Sequence, residues 1–270
     1  MTRVIVHAGF HKTGTTSLQH FLAKNRNVLA PYFTYYGKAE FMQAGANARI
    51  YAQRPFIWRR LAFRRSFRRF LLGIPNAPII VLSRETFSGV MPGHRNITGR
   101  TITTQAATAT ILAREIISAL RVRFGPDVRV EFLYTTRDRE SWIRSVYGHL
   151  LRSIHLTIDY PAFYESFAKL SGPEHDAHHI ADEIAPVPVH IADLAEFANH
   201  PEGPAAAVLE IAGVPDQVRL QLKPAKLQNP GQSGEMELEF LHLNRSGQTK
   251  KNLKIIKEQM QRGLNEGSGQ

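Results

Sequence analysis

The chain has 270 residues, 34 Lys and Arg against 23 Asp and Glu, a net charge of +11 at pH 7 and no cysteine. Missing cysteines exclude disulfides, thiolate zinc sites and cysteine nucleophiles; a hydrophobic share of 43 % over this length allows one large domain or two small ones with an unstapled core. The positive balance predicts an anionic partner: nucleic acid, a phosphorylated or sulfated ligand, or an acidic membrane.

Val4–Val6 reads as a short strand, followed by a Gly- and Thr-rich turn and a helix from Thr15 or Thr16, with Leu18, Phe21 and Leu22 at helical spacing. Residues 31–56 are mixed and read as loops and short helices. Ile57–Leu72 is predicted as a helix closed by Gly73 and Pro75, and Ile79–Ser83 as a buried strand. Residues 88–102 hold Gly89, Pro92, Gly93 and Gly99 and read as a loop able to cover a site. A helix over Thr104–Phe124 ends at Gly125-Pro126, and Val128, Val130, Phe132 and Tyr134 form the next strand. Asp138 then caps a helix to about Ser153. Helices are expected over Ala162–Leu170, Pro204–Ala212, Glu235–Leu243 and Thr249–Gln261, a strand or turn over His190–Leu194 and a loop over 223–234. This alternation predicts an α/β fold, with a central parallel sheet flanked by helices and ligands at the strand C-terminal ends. One domain over 1–262 and a flexible tail over 263–270 are expected. With no apolar run of signal-peptide or membrane-span length, a soluble cytoplasmic protein is the default.

The most informative segment is His7-Ala8-Gly9-Phe10-His11-Lys12-Thr13-Gly14-Thr15-Thr16-Ser17. Strand, Gly-containing loop and helix start make an anion site, because the free N–H groups of the first turn and the helix dipole both face the ligand. Gly14 allows close backbone approach, and Thr13, Thr15, Thr16 and Ser17 carry hydroxyls. Gly9 and Gly14 have the separation of a Walker A loop, G-x-x-x-x-G-K-[ST], but Thr15 stands where its lysine belongs, and the lysine is Lys12.

Lys12-Thr13-Gly14-Thr15-Thr16 resembles the 5′-phosphosulfate loop of sulfotransferases, K-[ST]-G-T-T, and the string from His7 to Gln19 looks like bacterial members of that superfamily. The resemblance implies a three-layer P-loop-type fold and 3′-phosphoadenosine-5′-phosphosulfate (PAPS) as co-substrate, without a metal. It also implies a 3′-phosphate site made by an Arg at a strand end and a Ser eight residues later. Arg137 and Ser145 match that spacing, and Tyr147 fits the family's Ser-x-Tyr habit. An Arg fork and a hydroxyl suit phosphate oxygens; taken alone, Arg137 reads rather as a strand-end Arg paired with Asp138 or Glu140, and the match to the first loop favours the phosphate role. Weaker matches are Val187–Leu194, Pro201–Val214, Asn229–Ser233 and Asn244-Arg245.

By the same resemblance Lys12 stabilises the leaving nucleotide, and Glu85, just past a buried strand, is the candidate general base; the alternatives for Glu85 are a salt bridge with Arg84 or a helix N-terminal carboxylate. His11 is a second candidate for contact with the sulfuryl group or for base. His7 reads as a satisfied core histidine and His149 as a surface one. His175-Asp176-Ala177-His178-His179 through Asp182 has weak metal-ligand spacing and reads rather as a polar loop.

Residues 41–84 contain nine Arg and no acidic residue. Phe63, Phe67, Phe70, Leu71 and Ile74 share a helical stripe, with Arg64, Arg65 and Arg68 largely off it, so the segment reads as an amphipathic helix with a solvated cationic face. It also suits an acidic polysaccharide, an anionic glycan or a lipid headgroup, which gives peripheral membrane contact as an expectation. No nucleic-acid motif accompanies it. The sequence thus carries three readings: a PAPS-dependent sulfotransferase acting on a carbohydrate or glycoconjugate, a P-loop nucleotide kinase with a displaced lysine, and a non-catalytic binder of an acidic polymer.

Overall fold

The computed structural model describes residues 1–168, 170–225 and 234–267. Lys169, the Asn229–Ser233 segment with most of the predicted 223–234 loop, and the last three residues of the predicted tail lie outside them. The chain forms two compact units, Met1–Trp142 with Ser171–Gln228, and Ile143–Leu170 with Asn229–Gln270.

In chain order the elements are β1 (Arg3–His7), α1 (Thr15–Lys24), α2 (Arg26–Leu29), β2 (Thr34–Tyr36), α3 (Met42–Gln53), α4 (Ile57–Leu72), β3 (Ile79–Ser83), α5 (Ala106–Phe124), β4 (Arg129–Thr136), α6 (Arg139–Ser153), α7 (Tyr160–Glu165), α8 (Pro173–Ile184), β5 (Val189–Asp193), α9 (Ala205–Ala212), α10 (Asp216–Arg219), α11 (Gly234–Arg245) and α12 (Lys250–Gly267). The first unit holds one all-parallel sheet in the order β2-β3-β1-β4-β5. Alternation along the strands builds a core on each face. Val4, Val6, Ile80, Leu82, Phe132 and Tyr134 pack under α3, α4, α5 and α8. Ile5, Val81, Leu133 and Tyr35 pack under α1 and α9. This is the three-layer α/β architecture expected from the sequence. Among the described residues no helix is long and apolar enough to cross a membrane.

Four local readings change. Residues 31–56 contain an edge strand, β2, and a 12-residue helix, α3; three residues carry too little alternation to announce a strand. The 88–102 loop is a small hairpin, with Gly93 N–H donating to Ile102 O at 2.8 Å, Ile102 N–H to His94 O at 2.8 Å and Ile97 N–H to Gln53 O at the end of α3. The segment read as a polar loop over 175–182 is helical, with Pro173 in the first turn and Ala177, Ile180 and Ile184 buried at helical spacing. Asp176 accepts from Gln105 N–H at 3.2 Å, anchoring the start of α5, and no group of three metal-ligating side chains occurs among the described residues. Finally, α12 continues past Gln261 to Gly267.

In the second unit Asp159 caps α7 by accepting from Ala162 N–H at 3.0 Å, and Tyr147, Tyr160, Phe163 and Phe167 form an aromatic cluster. Lys257 Nζ donates to Leu151 O and Ile154 O, and Asn244 Nδ2 to Leu151 O and Leu156 O, which satisfies the open carbonyls at the end of α6.

Glu131, buried in β4, binds Arg3 at 2.7 Å, Arg129 at 2.8 Å and His190 at 2.9 Å. Burial pushes its carboxyl up, but hydrogen bonds from Arg3 and His190 and the charges of Arg3 and Arg129 outweigh burial and bring it to about 2, against an ordinary 4.5. A carboxylate depressed on folding stabilises the fold fully above its unfolded value and loses that contribution as pH falls through the folded one. Urea unfolding from pH 4.5 down to 2 is therefore expected to show a smaller loss of stability for Glu131→Gln than for the parent; identical slopes would refute this role.

Candidate functional site

β1, β3 and β4 lie side by side, with His7 opposite both Ser83 and Leu133. The C-terminal ends of β1 and β3 therefore stand level, β4 runs on three residues to Thr136, and the segments that follow the three strands carry Lys12, Glu85 and Arg137. The order in which strands are added reverses next to β1, since β2 and β3 lie to one side of it and β4 and β5 to the other. Open parallel sheets bind ligands at such a crevice.

The loop after β1 is fixed by internal bonds. Ala8 N–H donates to Leu133 O at 3.2 Å, and Ser88 Oγ donates to Ala8 O at 2.7 Å. Thr13 Oγ1 and Thr15 Oγ1 both donate to Phe10 O, at 2.7 and 3.0 Å, and Trp142 Nε1 donates to His11 O at 2.9 Å. The hydroxyls of Thr13 and Thr15 thus face inward, whereas Thr16 is exposed and Ser17 half-buried. Lys12 has φ 71° and Gly14 φ 85°. Lys12 is the single non-glycine residue with positive φ among the described residues, and such strain persists where the surroundings over-determine it. The first intrahelical bond of α1 runs from Leu18 N–H to Gly14 O at 3.1 Å, so the amides of Thr15, Thr16 and Ser17 precede the helical ladder, and no acidic side chain occupies that turn.

Behind the loop lies a buried polar chain. His7 Nδ1 shares a 2.7 Å hydrogen bond with Ser83 Oγ, its Nε2 lies 3.4 Å from Thr135 Oγ1, and Thr135 Oγ1 shares a 2.9 Å bond with Thr13 Oγ1. Burial lowers His7 to about 4, so it is neutral at pH 7, the satisfied core histidine of the sequence reading. A Cβ on Gly9 would come within 2.6 Å of His7 Nε2 and 3.0 Å of Thr15 Oγ1. Because His7 is held by its bonds, Gly9→Ala is expected to cost about 2 kcal/mol in urea unfolding, in the range of overpacked cores. An unchanged midpoint would mean that the loop yields freely.

Glu85 opens a 3-10 turn after β3 and is half-buried. Gln19 Nε2 on α1 donates to Glu85 Oε2 at 3.1 Å and to Ser83 O at 3.3 Å. Arg84 Nε donates to Thr86 Oγ1 at 3.0 Å and its Nη1 to Lys38 O at 3.2 Å. Burial pushes Glu85 up, but His11, its own backbone N–H, Arg84 and Gln19 hold the carboxyl below its ordinary value, so it is ionised at neutral pH. His11 Nε2 donates to Gly89 O at 3.3 Å, and burial lowers its pKa against the pull of Glu85. His94, on the hairpin, is brought by burial, with Arg49 and His11 adding to it, to about 4. A neutral imidazole beside an ionised carboxylate can take up and hand on a proton.

Arg137 is half-buried after β4; burial lowers its pKa, and Asp138 pulls it up. Its Nε donates to Ser141 Oγ at 2.9 Å, and Ser141 N–H donates to Asp138 Oδ2 at 2.9 Å, the cap predicted for α6. Glu140 pairs with Arg139 at 2.5 Å. Ser145, half-exposed, stands on α6. Ser141, Trp142, Ser88 and His94 escaped the sequence reading, and Gln19 entered it only as the end of the loop string; Ser141 had a signal, one helical turn after Arg137. A cavity of about 540 Å³ among Arg114, Arg121, Ile184 and Pro186 contains none of these residues.

No family model matches the chain, and no curated protein matches it. Among solved structures it is similar to the crystal structure of a sulfotransferase from Alicyclobacillus acidocaldarius, at 16 % identity over 90 % of this chain and 92 % of that one, with a TM-score of 0.46.

Proposed function

We propose that this chain is a cytoplasmic sulfotransferase that moves the sulfuryl group of PAPS to a hydroxyl or amine of an acceptor, a carbohydrate or glycoconjugate. The observation that carries the reading is the delivery of Lys12, Glu85 and Arg137 by three adjacent parallel strands, β1 and β3 ending level and β4 running three residues further. The amides of Thr15, Thr16 and Ser17, the Thr16 and Ser17 hydroxyls and the Lys12 ammonium hold the 5′-phosphosulfate, while Arg137 takes the 3′-phosphate. Thr13, Gly14 and Thr15 shape the loop.

In the reaction the acceptor oxygen attacks sulfur, the bond from sulfur to the bridging phosphate oxygen breaks, and Lys12 neutralises charge on the departing phosphate. Glu85 receives the acceptor proton, and His11 lies within its electrostatic reach. No step calls on a metal. A kinase would need its lysine where Thr15 stands, and that hydroxyl is bonded to Phe10 O.

A transfer screen with radiolabelled PAPS over saccharides, glycolipids and small phenols tests the reading. Labelled saccharide product is expected. Phosphate transfer from ATP with no sulfuryl transfer to any acceptor would overturn it.

A further inference from the structure

The site uses few of the chain's cations, and α4 presents a second feature. Its inner face is set by Phe63, Ser66, Phe67 and Leu71, all buried. Arg60 and Arg64 turn to Glu115 on α5, at 2.5 Å each. The opposite face is not the polar surface expected of a core helix. Trp58, Leu61, Arg65, Arg69 and Leu72 follow one another at helical spacing on it. Trp58 is 58 % exposed and Leu72 77 %, and the turn into the helix adds Ile57 at 59 %. Phe56 stacks on Trp58, ring centroids 4.4 Å apart and 12° between planes. Among the described residues no carboxylate pairs with Arg54, Arg59, Arg65, Arg68 or Arg69, and residues 41–84 contain no acid.

We propose that the outer face of α4, with Phe56 and Ile57 at its start, docks on a membrane surface carrying anionic lipid headgroups. Exposed aromatic and aliphatic side chains interleaved with uncompensated arginines match an interfacial helix: apolar groups enter the headgroup boundary, and guanidinium groups meet lipid phosphates. A nucleic acid would use the arginines and ring faces, but not Ile57 and Leu72, and the two rings are stacked on each other. A second copy would set one cationic face against another.

The test uses the whole chain with vesicles of phosphatidylcholine alone and with one-third phosphatidylglycerol, at low and high salt. Binding to the mixed vesicles alone is expected, weakened by salt. The emission of Trp58 should shift to the blue, Trp142 being 2 % exposed and already buried. Ile57→Ser with Trp58→Ser, and separately Arg65→Ser with Arg69→Ser, should each weaken partitioning roughly tenfold. All four positions are exposed or at the solvent edge of α4, so both variants should keep the parent circular dichroism. Equal binding to both vesicle types, no binding, or an apolar double variant that binds as the parent does would overturn the proposal. So would tighter binding to polyuridylate or heparin than to the mixed vesicles.

Discussion

Lys12→Ala is expected to lower the rate of sulfuryl transfer by about a hundredfold to a thousandfold, the usual cost of removing one charge-stabilising donor from a reacting centre. The position lets chemistry be separated from folding. At φ 71° Lys12 is held in the left-handed region, which costs a non-glycine residue about 1–2 kcal/mol. Lys12→Gly relieves that strain while adding about 0.5–1 kcal/mol of unfolded-state entropy. It should melt close to the parent and still transfer no faster than Lys12→Ala. A glycine variant that kept most of its turnover would show that the loop backbone, rather than the ammonium, does the work. The strain would then have no catalytic counterpart.

Glu85→Gln should lower kcat by roughly a hundredfold to ten-thousandfold, the range for loss of a general base, with nucleotide affinity unchanged because Glu85 lies after β3 and outside the phosphate loop. The pH profile carries the sign. A base must be deprotonated to act, and Glu85 is held below its ordinary 4.5 by His11, Arg84 and Gln19 against the push of burial. Parent kcat/KM should therefore stay level through neutral pH and fall only in acid. Gln19→Ala, which removes the 3.1 Å hydrogen bond, should move that acid limb upward. If Glu85→Gln turns over like the parent while His11→Asn does not, the proton goes to the histidine.

The parts of this site that were legible are those carrying a period or a fixed spacing. Ile79–Ser83 reads as a strand from its β-branched run, and Glu85 follows directly. The strand, the Gly9-to-Gly14 loop and the helix start mark a candidate anion site by pattern, whereas the part given to Lys12 rests on the resemblance to sulfotransferase loops. The inward use of the Thr13 and Thr15 hydroxyls was not legible, because a threonine's rotamer depends on which carbonyl the folded loop brings beside it, here that of Phe10. His94 and Arg49 were invisible for another reason. They reach the surroundings of His11 from the hairpin and from α3, which no local pattern relates to the loop. The helix over Pro173–Ile184 was masked by its histidines and acids, although Ala177, Ile180 and Ile184 keep a helical period. Asp176 there illustrates a wider point: a side chain that looks like a metal ligand in sequence is an anchor for the neighbouring helix in the fold.

On the proposed function the loop around Lys12, with Arg137, accepts a nucleotide phosphorylated at both 3′ and 5′ positions. Titration calorimetry with adenosine 3′,5′-bisphosphate and with magnesium ATP tests it most directly. The bisphosphate should bind at least about tenfold tighter, a difference of about 1.4 kcal/mol or more, and Arg137→Ala should erase most of that preference. Equal or tighter binding of ATP, or a preference that survives Arg137→Ala, would contradict the account.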